Sequence, residues 1–205
     1  MALAGWSVGD SVKALPSVLK LSEATNLDLA RTSDLVTDSM SATGEVIGEN
    51  GENLQRFLDV ATKANNKSNQ TAEQLMEAWI QTGGVFKGLK VDIEDSATAL
   101  GVLANRGIKG SEAGTAMKAI MINLTAGIGR AGKAMNTLGV SAFDKTTGKF
   151  KGLKTVLTEL NEKFSTMNDE QANTYKAMLG GKHHLDAFND LLQGLTSEKN
   201  GKNEW

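Results

Sequence analysis

Apolar residues recur at helical spacing almost from end to end of this chain, and the residues that interrupt them are glycines rather than prolines. There are 22 glycines and a single proline, Pro16. Glycine can turn or end a helix at little steric cost, whereas proline removes a backbone donor and blocks the preceding turn. The pattern therefore predicts a succession of short helices folded back on one another. Aromatic residues make up only 5% of the chain, too few for the packed pleats of a β-sandwich. A chain of 205 residues can bury roughly 70% of its unfolded surface, enough for a hydrophobic core without crosslinks.

The spacing places the helices in turn. Ser7-Val8-Gly9-Asp10 starts the first, which Pro16 is expected to kink or restart near Leu15. A second start falls at Thr25, three residues before Asp28, leading into Leu27, Ala30, Leu35, Val36 and Met40. Leu54, Phe57, Leu58, Ala61 and Ala64 form an amphipathic stripe, and Asn65 to Asn69 read as a polar loop. Thr71 and Gln74 form a capping box, opening a helix with Leu75, Met76, Trp79 and Ile80 that is expected to fray at Gly83-Gly84 or Gly88. Asp92 is expected to cap the next helix and Gly107 to end it; Gly110-Ser111 starts another through Leu124. Ala131 to Leu138 make a short helix closed by Gly139. Val140 to Phe143 and Lys149-Phe150 flank Asp144 to Gly148, which reads as a small β-hairpin. Helices resume at Leu153, around Tyr175, and around Leu185 to Leu192. The expected class is all-α: a multi-helix, glycine-punctuated helical domain with one small β-hairpin near residues 140–151.

Charge and composition narrow the function. No cysteine is present, so disulfides, thiolate catalysis and sulfur-ligated zinc are excluded. The net charge of −2 gives no basis for a specific nucleic-acid partner. The charge is unevenly spread. Residues 1–105 hold 8 Lys and Arg against 14 Asp and Glu, net −6, and residues 106–205 hold 14 against 10, net +4. Such a dipole can guide stacking or contact with an acidic partner. No run of 18 apolar residues provides a stable membrane span.

Four groups of residues resemble sites. Gly127-Ile128-Gly129-Arg130-Ala131-Gly132-Lys133-Ala134 satisfies G-x-G-x-x-G, and satisfies the phosphate-loop pattern except at Ala134, where a hydroxyl should hold magnesium. Either chemistry needs a strand directly before the loop, and Ala119–Thr125 continues a helical stripe instead. The run reads better as a helix–helix connection. His183 and His184 are adjacent, so on a helix they diverge by about 100° and cannot share a metal as an i, i+4 pair could. Asp92, Glu94 and Asp95 complement a helix start rather than form an acid–base pair. Trp6 and Trp79 read as core or interface anchors. No catalytic, cofactor-binding or metal-binding residue is assigned, no cofactor is implied, and the chain does not read as an enzyme.

Several motifs stand in order along the chain: Ala4-Gly5-Trp6-Ser7-Val8 with Ala14-Leu15-Pro16; Leu35-Val36-Thr37-Asp38-Ser39-Met40; Ser68 to Leu75; and, the most specific, Ala99 to Met117 with Gly107–Thr115 at its centre. Taken together they resemble the core region of phage tail tape-measure proteins. Leu138-Gly139-Val140, the Asp144 to Gly148 turn and the helix from Leu153 follow, so the resemblance spans roughly residues 2–195. Thr43 stands where the family often has phenylalanine, Lys154 where it often has proline, and Gly180-Gly181-Lys182 carries one glycine more than the family's turn.

The resemblance implies a structural protein of a phage or prophage tail, the core module of a tape-measure protein that sets tail length. It implies a place inside the tail tube of the virion after synthesis in the host cytoplasm. The partners it implies are the tail-tube protein, tail assembly chaperones and tail-tip proteins; self-association is a separate expectation, outside what the resemblance implies. Domain organisation is expected to be a core-like helical domain over 1–195, lacking N-terminal helices that the family places upstream, and a disordered tail over 196–205. The chain then reads as a fragment or a truncated gene. Fully helical, 205 residues would reach only about 300 Å at 1.5 Å per residue, too little to measure a tail alone. Two other functions fit less of the sequence: a membrane-active helical module of the DNA-injection machinery, and a nucleotide-binding factor using Gly127–Lys133.

Overall fold

A computed structural model describes residues 6–199 and 202–205. The described residues form ten helices: α1 (Val8–Thr25), α2 (Leu29–Thr43), α3 (Glu52–Lys67), α4 (Ala72–Leu89), α5 (Ile93–Asn105), α6 (Gly110–Thr125), α7 (Gly129–Leu138), α8 (Leu153–Phe164), α9 (Asp169–Gly180) and α10 (Leu185–Gly194). Two short antiparallel strands follow, β1 (Glu198–Lys199) and β2 (Lys202–Asn203). The class is all-α.

Helix α4 lies at the centre. It packs against α2 on one side and α6 on the other, and α3 and α5 also lean on it. From there the helices succeed one another outward: α1 rests on α2 and α3, while α7 and α9 rest on α6. Helix α10 joins α5 to α8 and α9. The two principal contacts of α4 are made through missing side chains. A β-carbon on Gly83 would lie 2.4 Å from the carbonyl carbon of Ala42 in α2. A β-carbon on Gly114 of α6 would lie 2.6 Å from the carbonyl oxygen of Ala78 in α4. Backbone therefore meets backbone on both sides of the same helix, and dispersion contacts there are correspondingly dense.

This explains why α4 does not fray at its glycines. Gly83, Gly84 and Gly88 all lie within one uninterrupted helix. The helix-propensity cost of Gly83, about 1 kcal/mol relative to alanine, is offset by the packing that its bare backbone permits. The capping box forms as expected: the Thr71 hydroxyl accepts from the Gln74 amide at 3.1 Å, and the Gln74 side chain accepts from the Thr71 amide at 3.0 Å.

Trp79 of α4 ties in the other layer. It is fully buried, its ring centroid is 4.7 Å from that of Phe57 in α3, and its Nε1 donates to Ser96 Oγ in α5 at 2.9 Å. Ser96 Oγ in turn donates to the Ile93 carbonyl at 2.7 Å, so the buried indole leaves no polar atom unsatisfied. Helix α2 buries Thr32, Thr37 and Ser39, and each hydroxyl donates to a carbonyl one turn back, on Asp28, Ser33 and Leu35 respectively.

Several local expectations need correction. Pro16 neither restarts nor ends α1, which runs on to Thr25; Pro16 is exposed, so the Val12 carbonyl that loses its donor is accessible to water. The second helix starts at Asp28, not Thr25, because the Asp28 carboxylate accepts from the Arg31 amide at 3.0 Å. Helix α3 extends to Lys67 and takes in Asn65, Asn66 and Lys67 of the expected polar loop. Asp92 occupies the N-cap position of α5 without a side-chain cap.

The expected β-hairpin near residues 140–151 does not form; a single antiparallel bridge joins Phe143 and Phe150. The Asp144 carboxylate accepts from the Thr146 and Thr147 amides at 3.0 and 2.7 Å and curls the chain into a turn. The flanks have no length left for strands. Val140 closes the end of α7 by donating to the Met135 carbonyl, and Gly152 already caps α8. Residues 202–205 come back to the helices: Trp205 packs against the core, with its Nε1 donating to the Leu191 carbonyl at 3.3 Å.

Gly107 and Gly110 hold φ of +98° and +57° between α5 and α6, the left-handed region that a β-carbon disfavours. Replacing both by alanine should cost about 1–2 kcal/mol at each position and lower the melting temperature. On α4 a sharper contrast is expected. Gly83→Ala should destabilise by about 1–3 kcal/mol through overpacking, and Gly114→Ala by a similar amount. Gly84→Ala and Gly88→Ala, whose β-carbons would meet nothing within 4 Å, should stabilise by about 0.5–1 kcal/mol. Urea denaturation of the four single variants measures this.

A pH effect follows from the pair that links α3 to α5. Arg56 Nε donates to Glu94 Oε1 at 2.8 Å and holds the Glu94 carboxyl below its ordinary value of 4.5. Because the folded value is depressed, the contribution is present above pH 4.5 and is lost as pH falls through the folded value. Both side chains are about half exposed, so it amounts to about 0.2–1 kcal/mol. The melting-temperature gap between wild type and Glu94→Gln should be constant near neutrality and close on acidification below pH 4.5.

Candidate functional site

The glycine-rich run 127–133 is where phosphate chemistry would have to reside, and its geometry is that of a helix connection. The segment before it is α6, a helix of 16 residues, with no strand leading into the loop. Gly127 and Gly129 have φ of +67° and +65° and make the turn. Gly132 serves packing: a β-carbon there would lie 2.3 Å from the carbonyl carbon of Gly127. Each glycine of the G-x-G-x-x-G string thus has a structural task in joining α6 to α7. Ala134, which replaces the magnesium-binding hydroxyl, is buried in the core, and Lys133 is exposed on α7. The run lacks the strand-to-helix frame that converges amides on a phosphate.

The histidines do not sit on a helix. His184 is the N-cap residue of α10, and His183 precedes it, exposed. Both line a shallow groove with Glu112 and Asp186. Among the described residues no group of three or more His, Asp or Glu side chains is arranged to hold a metal ion. Of the acidic trio, Glu94 is engaged by Arg56, while Asp92 and Asp95 line a groove beside α8. Trp79 is a core anchor, and Trp6 packs partly buried at the edge of the core. Ala4 and Gly5, which precede it in the resemblance, lie outside the described residues.

A polar cluster that no sequence spacing marks forms around Arg106. Arg106, in the stretch with the most specific resemblance, pairs with Glu204 at 2.8 Å and lies 3.8 Å from Asp190. Its Nη2 also donates to Ser197 Oγ at 3.2 Å. Burial pushes the Asp190 carboxyl above its ordinary value, with Arg106 acting against that shift. Arg106 stands just past α5 and its partners come from α10 and the residues beyond, up to 98 positions away in sequence, so no local pattern could reveal them. Every charge in the cluster faces its counterion, which makes it a clasp between segments rather than a reactive centre.

A groove of about 750 Å³ opens between α6, α7 and α9. It is bounded by Ile122, Asn123 and Ala126 at the end of α6, Ile128 and Arg130 at the start of α7, and Met178 on α9. Asn123 is committed within it, donating from Nδ2 to the Leu179 carbonyl at 2.9 Å. Ile122 and Ile128 are 43% and 75% exposed. The lining offers apolar surface and two cations, Arg130 and Lys182, a composition suited to contact rather than to proton or group transfer. No helix among the described residues is long and apolar enough to cross a membrane.

The comparisons with known proteins agree with a chain of this kind. Residues 1–181 match the family described as phage-related minor tail protein. The "Tape measure protein" of Pneumococcus phage Dp-1 is 27% identical over 192 residues, 94% of this chain and 16% of the relative. The "Probable tape measure protein" of Escherichia phage P2 is 27% identical over 201 residues, 97% of this chain and 24% of the relative. The chain therefore spans less than a quarter of the length of either relative. No solved structure matches it. A helical array built on glycine-mediated contacts, a most specific motif that serves as a turn and a clasp, and a family match over most of the length lead to one assignment: this chain belongs to the phage-related minor tail protein family.

Proposed function

We infer that the chain is the core module of a tape-measure protein, a structural element of tail assembly, and that it performs no catalysis. The observation that carries this is the alignment of nearly the whole chain with part of two tape measure proteins. The structure supports it by what its special residues do. Gly107, Gly110, Arg106 and the 127–132 loop all serve to turn and fasten helices.

On this reading the tail-tube protein, the assembly chaperones and the tail-tip proteins are the partners, and the tube interior is the site of residence. The module's helices end near residue 195, and the residues after them are fastened back onto it through Ser197, Glu204 and Trp205. Ten helices folded into layers have a far shorter reach than the extended chain, so the module does not supply the ruler's length. It supplies a folded body from which the rest of a longer protein extends.

The test is genetic. Deleting the coding segment for this module in frame from its phage or prophage should abolish tails or give tails without a uniform length, seen by electron microscopy. Peptides from the module should also be found in purified tails by mass spectrometry. Normal tails of uniform length after the deletion would overturn the reading.

A further inference from the structure

The residues beyond α10 return to the helices at two fixed points. Glu204 is the first. Its side chain is only 8% exposed, and its carboxylate faces Arg106 at 2.8 Å while accepting from Asn105 Nδ2 at 3.1 Å. Trp205 is the second. Its ring covers Gly194, where a β-carbon would stand 2.9 Å from the indole nitrogen, and that nitrogen donates to the Leu191 carbonyl at 3.3 Å. Lys154 Nζ donates to the Trp205 main-chain oxygen at 3.4 Å. The helical body thus supplies a guanidinium and an amide for a carboxylate, a glycine-floored slot beside Val102 for an aromatic ring, and a carbonyl for the ring's N–H.

Two observations set this segment apart from the helices. Strands β1 and β2 have two residues each, and a hairpin that short is not stable by itself. The segment stays down through a handful of contacts and belongs to the least stable end of the domain. It also underfills the surface on which it lies. Trp205 stands at the edge of a groove of about 480 Å³ that runs on past it between Phe86, Leu89, Met121, Phe150 and Leu153. Glu204 stands at the edge of another, of about 470 Å³, over Val60 and Ala64 of α3 and Gly101 of α5. The pair therefore fills the middle of a longer surface, with open groove on either side.

We propose that Asn105, Arg106, Leu191, Gly194 and Lys154 form a recognition site for a segment of a partner protein that carries a carboxylate side chain directly before an aromatic one, and that Glu204 and Trp205 occupy this site in cis. The chemistry of the occupant is read from the groups that hold those two residues. With the segment lifted, Arg106, 16% exposed, keeps only Asp190 opposite it at 3.8 Å, beyond hydrogen-bond distance, so the opened site attracts a further carboxylate. The slot over Gly194 takes a flat ring, because the residue beneath it has no side chain. Residues 204–205 act as a self-placed cover. A partner segment must displace it, which lowers the apparent affinity by the fraction of time that the site stands open. The inference goes beyond the functional reading and does not rest on it.

The probe is a fluorescent peptide with the sequence of residues 197–205, amidated at its C-terminus, and fluorescence anisotropy reads its binding to the full chain. Glu204→Ala combined with Trp205→Ala empties the site. That double variant should bind the peptide saturably, and wild type should bind it about tenfold more weakly or worse, because its own segment competes. A peptide carrying Glu204→Gln should lose about tenfold or more, and so should one carrying Trp205→Ala. Adding Arg106→Gln to the double variant should have the same effect. An emptied chain that keeps the circular dichroism of wild type and binds no peptide would overturn the proposal. Equal binding by wild type and the emptied chain, or by the altered peptides, would do the same. Hydrogen exchange on wild type tests the cover without any substitution. The Glu204 amide, which donates to the Ser197 carbonyl, should exchange faster than the amides of α4. Exchange as slow as that of α4 would mean that the segment lifts only with global unfolding, and the proposal would fail. Wild-type dimers in sedimentation velocity that disappear in the double variant would assign the site to a second copy and rule out the partner protein.

Discussion

Everything in this domain is arranged around one helix gripped from two sides by backbone. At Gly83 the α4 helix admits the end of α2, and at Ala78 it admits Gly114 of α6. These approaches fix two separations that side chains of ordinary size would widen. The outer helices inherit their positions from this triple layer: α1 through α2, and α7 and α9 through α6. A domain with few aromatic residues has few large side chains with which to fill wide spaces between layers. Close approach through glycine and alanine achieves the same packing density with smaller pieces.

The second layer is fastened differently, by a few directional contacts. The Trp79 indole reaches Ser96 across the α4–α5 contact, while its ring lies against Phe57 of α3. Arg56 bridges to Glu94 at the surface above them. At the far edge Arg106 gathers Ser197, Glu204 and Asp190. Each of these side chains is directed at a neighbouring segment of the chain.

Much of the helical frame was legible because it rests on local rules. The Thr71–Gln74 capping box, the closure of α7 at Gly139 and the left-handed Gly107 and Gly110 all depend on residues within one turn of each other. The errors share a physical cause as well. Gly83 looked like a break because propensity sees only the bare backbone, and it became a contact because Ala42 lies against it. The 140–151 segment looked like a hairpin because its turn chemistry is right, but the ends of α7 and α8 leave it only the Phe143–Phe150 bridge. Composition marked the last residues as a tail, and could not show that Trp205 reaches the groove left bare by Gly194.

The sequence by itself determined the class, the order of the helices and the family, since periodicity, capping and an ordered set of motifs are all properties of chain neighbours. It also determined that the glycine-rich run has no strand before it. Only the tertiary structure decided which glycines turn the chain and which bring helices together, because that depends on what lies opposite each missing β-carbon. It also decided that Arg106 is a clasp. Burial is set by partners distant in sequence, and no local pattern reports it.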